Sequence, residues 1–128
     1  PPGASEIVPL LLRLIQERPG SVRGVVAHDS AWRDIGTPQS YFDAHREIML
    51  QRIPLIPDIN IPPGPFIRGK NTVIADKCDM DGFVSIGSHC TIEPGCRLRN
   101  CIIWNNTTVT ADSVMSNTIC GPGFTIHV

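Results

Sequence analysis

The chain has 128 residues with 11 basic and 12 acidic side chains, a net charge of -1, so nothing global argues for nucleic acid or an acidic membrane surface as a partner. Aromatic residues make up only 5%, while Pro (12) and Gly (11) are frequent, which suits a turn-rich β architecture with an aliphatic core. No run of about 18 apolar residues occurs, which predicts no transmembrane helix, and there is no signal-peptide pattern.

The chain opens Pro1-Pro2-Gly3 without a Met, as a processed chain or a piece of a longer one would. Residues 5–18 read as an amphipathic helix, with Ile7, Leu10, Leu11, Leu14 and Ile15 on one face. Pro9 fits better in its first turn, with Val8 just outside, than in its middle. The wide apolar face needs a partner, expected from residues preceding Pro1. Val22 to Ala27 reads as a strand because Val22, Val25 and Val26 favour extended structure. His28-Asp29-Ser30 follows as a turn. Thr37 is the expected N-cap of a second helix, with Pro38 at its first position. That helix should reach about Gln51, its apolar side formed by Tyr41, Ala44 and Ile48 with Phe42 and Met49 on the flank. Residues 54–65 hold five prolines and predict a stiff connector and a domain boundary.

Beyond the connector two interlocked series run with a period of six. Ile74, Met80, Ile86, Ile92 and Leu98 are large and apolar; Thr72, Cys78, Val84, Cys90 and Cys96 are small or compact. Residues i and i+2 of a strand share a face, so each unit points one small and one large side chain inward before a corner. This is the repeat of a parallel β-helix. Asp81-Gly82, Gly87-Ser88, Pro94-Gly95 and Arg99-Asn100 are the expected corners, since Gly and Asn accept positive φ. After Leu98 the period slips, and Ile103, Val109, Val114 and Ile119 are expected to continue the inward series. Gly121-Pro122-Gly123 should make one more corner.

The five cysteines contain no C-x-x-C pair, so reduced, buried thiols are expected rather than zinc. Cys78 and Cys96 would stack in adjacent coils, where a disulfide is geometrically possible but out of place in a cytosolic protein. Gly64 to Asn71 nearly spells a phosphate-binding loop. It lacks the final Ser or Thr and a following helix, so it reads as the entry to the solenoid. His89 falls at a corner. Acyltransferases with hexapeptide repeats use a histidine base, but no orienting carboxylate is evident, and an exposed corner residue is the simpler reading. Arg68, Lys70, Lys77, Arg97 and Arg99 read as solvated charge.

The stretch Trp32-Arg33-Asp34-Ile35-Gly36-Thr37-Pro38 resembles the W-x-D-I-G-T-P segment of the sugar-1-phosphate nucleotidyltransferases. The strand-like Val22 to Val25, the helix before it, the Pro-rich connector and the hexapeptide solenoid occur in the same order in that family. The resemblance implies a mainly β chain. A left-handed parallel β-helix (residues 66–128) would be preceded by a connector (53–65) and a helix–strand–helix remnant (1–52) of a Rossmann-like α/β nucleotidyltransferase domain. It further implies a cytoplasmic, homo-oligomeric enzyme that takes a nucleoside triphosphate and a sugar 1-phosphate and releases pyrophosphate. Asp34 would be one Mg²⁺ ligand, since that hard cation takes one or two carboxylates plus substrate phosphates. Gly36 would let the backbone approach the substrate. The family's Gly-rich signature and second metal carboxylate do not occur in these residues, so this stretch alone is not expected to catalyse the transfer. An acyl-CoA-dependent acyltransferase using His89, and a non-catalytic regulatory or assembly subunit, are the alternatives.

Overall fold

The computed structural model describes residues 7–26, 32–50 and 64–128. The chain divides into two compact units, Pro1–Ser30 and Ala31–Val128. Most of the expected connector, the turn at His28-Asp29-Ser30 and Ala27 lie outside the described residues.

In the first unit, helix α1 (Ile7–Glu17) carries Pro9 in its first turn, where the missing N–H has no helical partner to lose. Val8, expected just outside, lies inside the helix. Ile7, Leu10 and Ile15 remain exposed. The expected strand from Val22 is not one: residues 23–26 have no ladder, and Val25 is 92% exposed. Valines favour extended structure only where another strand supplies hydrogen bonds and packing, and none does among the described residues.

The second unit begins with helix α2 (Pro38–Met49) and continues into eight strands: β1 (Phe66–Arg68), β2 (Val73–Ile74), β3 (Asp79–Ile86), β4 (Thr91–Ile92), β5 (Arg97–Ile103), β6 (Thr108–Val109), β7 (Val114–Gly121) and β8 (Phe124–His127). β1, β3, β5 and β7 pair in parallel, as do β2, β4 and β6. β3, β5 and β7 each run around a corner, so every coil presents three faces. This is the expected parallel β-solenoid.

The corners explain the odd residues of the sequence. Asn71, His89 and Asn106 take φ between 55 and 58°, Lys77 and Asp112 take 62 and 58°, and Asn100 and Asn117 take 50 and 48°. With Gly82 and Gly95, also at positive φ, these residues form three columns, one per corner. Asn and Asp tolerate this conformation because their short polar side chains bond locally. Asn100 Nδ2 donates to Asn117 Oδ1 at 3.0 Å, and the Phe83 amide donates to Asn100 Oδ1 at 3.3 Å. Gly82 stands at the head of that column, where a Cβ would collide with the Asn100 side-chain oxygen.

Both inward series fill the core. Val84, Ile86, Cys90, Ile92, Cys96, Leu98, Cys101 and Ile103 are all buried in one cluster. Corresponding residues in the first two coils are eighteen apart, as in Val73↔Thr91 and Asp79↔Arg97. The next coil is seventeen, as in Thr91↔Thr108 and Arg97↔Val114. The change is a bulge on β3, where Gly82 and Phe83 face the single Asn100 of β5. Five-residue steps therefore fall only at this corner, from Leu98 to Ile103 and from Met115 to Cys120. The expectation for the last coil was one corner early. Val114 points out and is 70% exposed, while Met115 packs against the core; Ile119 lies on the outer surface, and Cys120 points in. Gly121-Pro122-Gly123 is also not a corner. Pro122 and Gly123 (φ 81°) reverse the chain, and β8 returns antiparallel along β7.

Candidate functional site

The expected chemistry centres on Trp32 to Pro38, an exposed segment that leads into α2. Asp34 closes a turn on itself, its Oδ1 accepting from the Gly36 amide at 2.9 Å. A Cβ on Gly36 would stand 3.1 Å from that same oxygen, so one reason for glycine here is room for the Asp34 carboxylate. Arg33 Nε meets Glu47 Oε2 at 2.8 Å, tying the segment to the far end of α2. Thr37 caps the helix as expected. Its hydroxyl accepts from the Ser40 amide, and the Thr37 amide donates to Ser40 Oγ, both at 3.1 Å. This reciprocal box satisfies two amides that the helix start leaves without carbonyl partners.

α2 is bolted to the solenoid by side chains the sequence reading placed on its flank. Phe42 and Met49, seven residues apart and hence on one face, are buried with Phe83, Ile102 and Ile119. The Phe42 and Phe83 ring centroids are 5.0 Å apart with planes at 58°, a tilted geometry that aromatic quadrupoles favour. Phe83, Ile102 and Ile119 belong to neither inward series. Ile102 and Ile119 alternate with the inward Cys101, Ile103, Thr118 and Cys120, an alternation that marks an outer apolar face and that the expected inward placing of Ile119 missed.

Two cavities flank this contact. One, about 540 Å³, is lined by Ile35, Pro38, Tyr41, Trp104, Phe124 and Ile126, so the segment bearing Asp34 faces an apolar cleft rather than a charged one. The other, about 360 Å³, is lined by Tyr41, His45, Ser85, Trp104 and Asn105 among others, with no acidic, Lys or Arg side chain. Burial pushes the His45 pKa below the ordinary histidine value, because desolvation disfavours the charged ring.

Among the described residues no group of three or more His, Cys, Asp or Glu is placed to hold a metal ion. Asp34 is exposed, and one oxygen is committed to Gly36. One exposed carboxylate does not make a protein-only metal cage, and Mg²⁺ takes one or two carboxylates together with phosphates and water.

The other candidates resolve plainly. His89 is exposed at its corner, its amide donating to the Lys70 carbonyl at 2.9 Å, and no carboxylate pairs with its ring among the described residues. Gly64 to Asn71 enters the first coil through β1, with no helix after it. Arg68, Lys70, Lys77, Arg97 and Arg99 are exposed, and Arg99 pairs with Asp81 at 3.2 Å. All five cysteines are free thiols, and four are buried. Cys78, Cys90, Cys96 and Cys101 donate to carbonyls of the following coil, Cys90 to Trp104 at 3.0 Å and Cys96 to Thr110 at 3.2 Å. Burial, with other thiols nearby, raises the Cys120 pKa to about 11. These are inert core groups rather than nucleophiles. No helix is long and apolar enough to cross a membrane among the described residues.

Comparison with known proteins agrees with the solenoid. Bifunctional protein GlmU of Pseudoalteromonas atlantica (strain T6c / ATCC BAA-1087) is 32% identical over 81 residues, which cover 62% of this chain and 18% of that protein. This chain thus spans less than a fifth of the relative it matches. Residues 63–128, just over half of the chain and all of the solenoid, match the family described as GMPPB C-terminal domain, and the chain belongs to that family.

Proposed function

We propose that these residues are the C-terminal part of a Mg²⁺-dependent sugar-1-phosphate nucleotidyltransferase, which joins a nucleoside triphosphate and a sugar 1-phosphate into a nucleoside diphosphate sugar and pyrophosphate. The observation that carries this reading is the Trp32 to Pro38 segment, with its Asp34–Gly36 turn, leading through a capped helix onto a solenoid of the GMPPB C-terminal domain family. In this reading residues 1–52 descend from the catalytic domain, 53–65 connect, and 66–128 form a left-handed β-helix serving as scaffold and contact between copies of a cytoplasmic enzyme. The 128 residues alone do not turn over, because most walls of the site come from elsewhere.

Asp34 would hold the metal, which when bound offsets charge on the phosphate oxygens. The Gly36 amide orients the Asp34 carboxylate through its 2.9 Å bond. Gly36 itself leaves space for the carboxylate and for close approach of substrate. The test is Asp34→Ala in a longer protein containing this chain. Mg²⁺-dependent pyrophosphate release should fall by about 100-fold or more, at or beyond the upper end of what losing a ligand's supporting group costs. Unchanged kinetics would remove Asp34 from the site.

A further inference from the structure

We infer that the outer face of the solenoid positions the Asp34 carboxylate, and that Phe83 is the residue through which it does so. The inference rests on the role proposed for Asp34. Three observations lead to it. First, Phe83 is made available by the bulge: β3 spends two residues, Gly82 and Phe83, where β5 spends Asn100 alone. Bulges re-aim side chains, and this one places a large ring that is only 1% exposed outside the inward series. The solenoid core does not need that ring, since the next two coils turn the same corner without it.

Second, the ring is covered by Phe42 of α2 at 5.0 Å, with Met49 in the same cluster. Third, Asp34 is held relative to α2 from both sides. Arg33 reaches Glu47 near the helix end, and Thr37 and Ser40 lock the helix start. The carboxylate therefore has a fixed place on α2, and α2 has a fixed place on the solenoid. Loosening the Phe42–Phe83 contact frees both at once. A purely structural ring would affect stability without reaching the carboxylate.

The experiment has two arms. In the 128-residue chain, Phe83→Ala should speed amide exchange at Ser40, Tyr41 and Ala44 by about tenfold or more while Ile92 and Ile103 keep their protection, the signature of local rather than global opening. In the longer enzyme, Phe83→Ala should raise the Mg²⁺ concentration for half-maximal pyrophosphate release, Phe83→Leu should largely restore it, and Phe83→Ala should add nothing in an Asp34→Ala background. Phe42→Leu tests the same contact from the helix side if Phe83→Ala does not fold. Native exchange throughout α2, or a loosened α2 with unchanged Mg²⁺ dependence, overturns the inference. The Asp34→Ala variant alone decides the role on which it rests.

Discussion

At the scale of single residues, the corners and the half-buried titratable group make the sharpest expectations. Asn100 sits at φ 50° with its amide bonded along the column. Asn100→Ala loses those bonds and leaves a Cβ residue in the left-handed region, which costs about 1–2 kcal/mol by itself. Urea unfolding should show a loss of about 2 kcal/mol, and Asn100→Gly should lose less. His45 has its folded pKa lowered by burial. Between its folded pKa and the unfolded value of about 6.5, the unfolded chain binds more protons. The His45 contribution is therefore fully present above pH ~6.5 and is lost as pH falls through the folded pKa, with a slope of at most about 1.4 kcal/mol per pH unit. Unfolding titrations from pH 7.5 to 5 should show a shallower dependence in His45→Gln. Equal slopes would mean another group dominates.

At the scale of elements, α2 is specified twice, by its cap and by its docking face. The Thr37–Ser40 box was readable because Thr-Pro before an apolar pattern is a start signal. The docking face was read in part: Ala44 is buried with Phe42 and Met49, and Tyr41 packs beside them, but only the surface beneath decides that the flank residues Phe42 and Met49 are covered more fully than Ile48. Thr37→Ala should weaken the chain by about 1 kcal/mol, read as faster exchange at the Ser40 amide with the solenoid amides unchanged. The Val22 to Val26 segment shows the same limit in reverse. Its composition favours a strand, but strand structure requires a pairing surface that the described residues do not contain.

At the scale of the whole molecule, the three-faced coils of residues 66–120 stack by parallel pairing, and each buries its small and large columns against the next. Such stability is shared between neighbouring coils, so a charge in the middle coil should be felt throughout. Ile86 is 3% exposed in that cluster. Ile86→Lys forfeits roughly 1.5–3 kcal/mol of apolar burial and adds the cost of an unpaired charge. Circular dichroism should show the strand signal lost at a much lower temperature; an unaltered melt would mean the side chain escapes to solvent.

The repeat itself determined the solenoid. Period six, inward alternation and the corner residues Gly and Asn are local requirements, and the turn that Asp34 closes on the Gly36 amide is local in the same way. Tertiary structure decided the rest. The β3 bulge set where the five-residue steps fall, which moved Val114 and Ile119 off the inward series. The outer row of Ile102 and Ile119 became core because α2, with Phe124 and Val128 of the C-terminal stretch, packs onto it. A residue's face follows from its neighbours in the chain, but whether that face is buried depends on what another element brings to it.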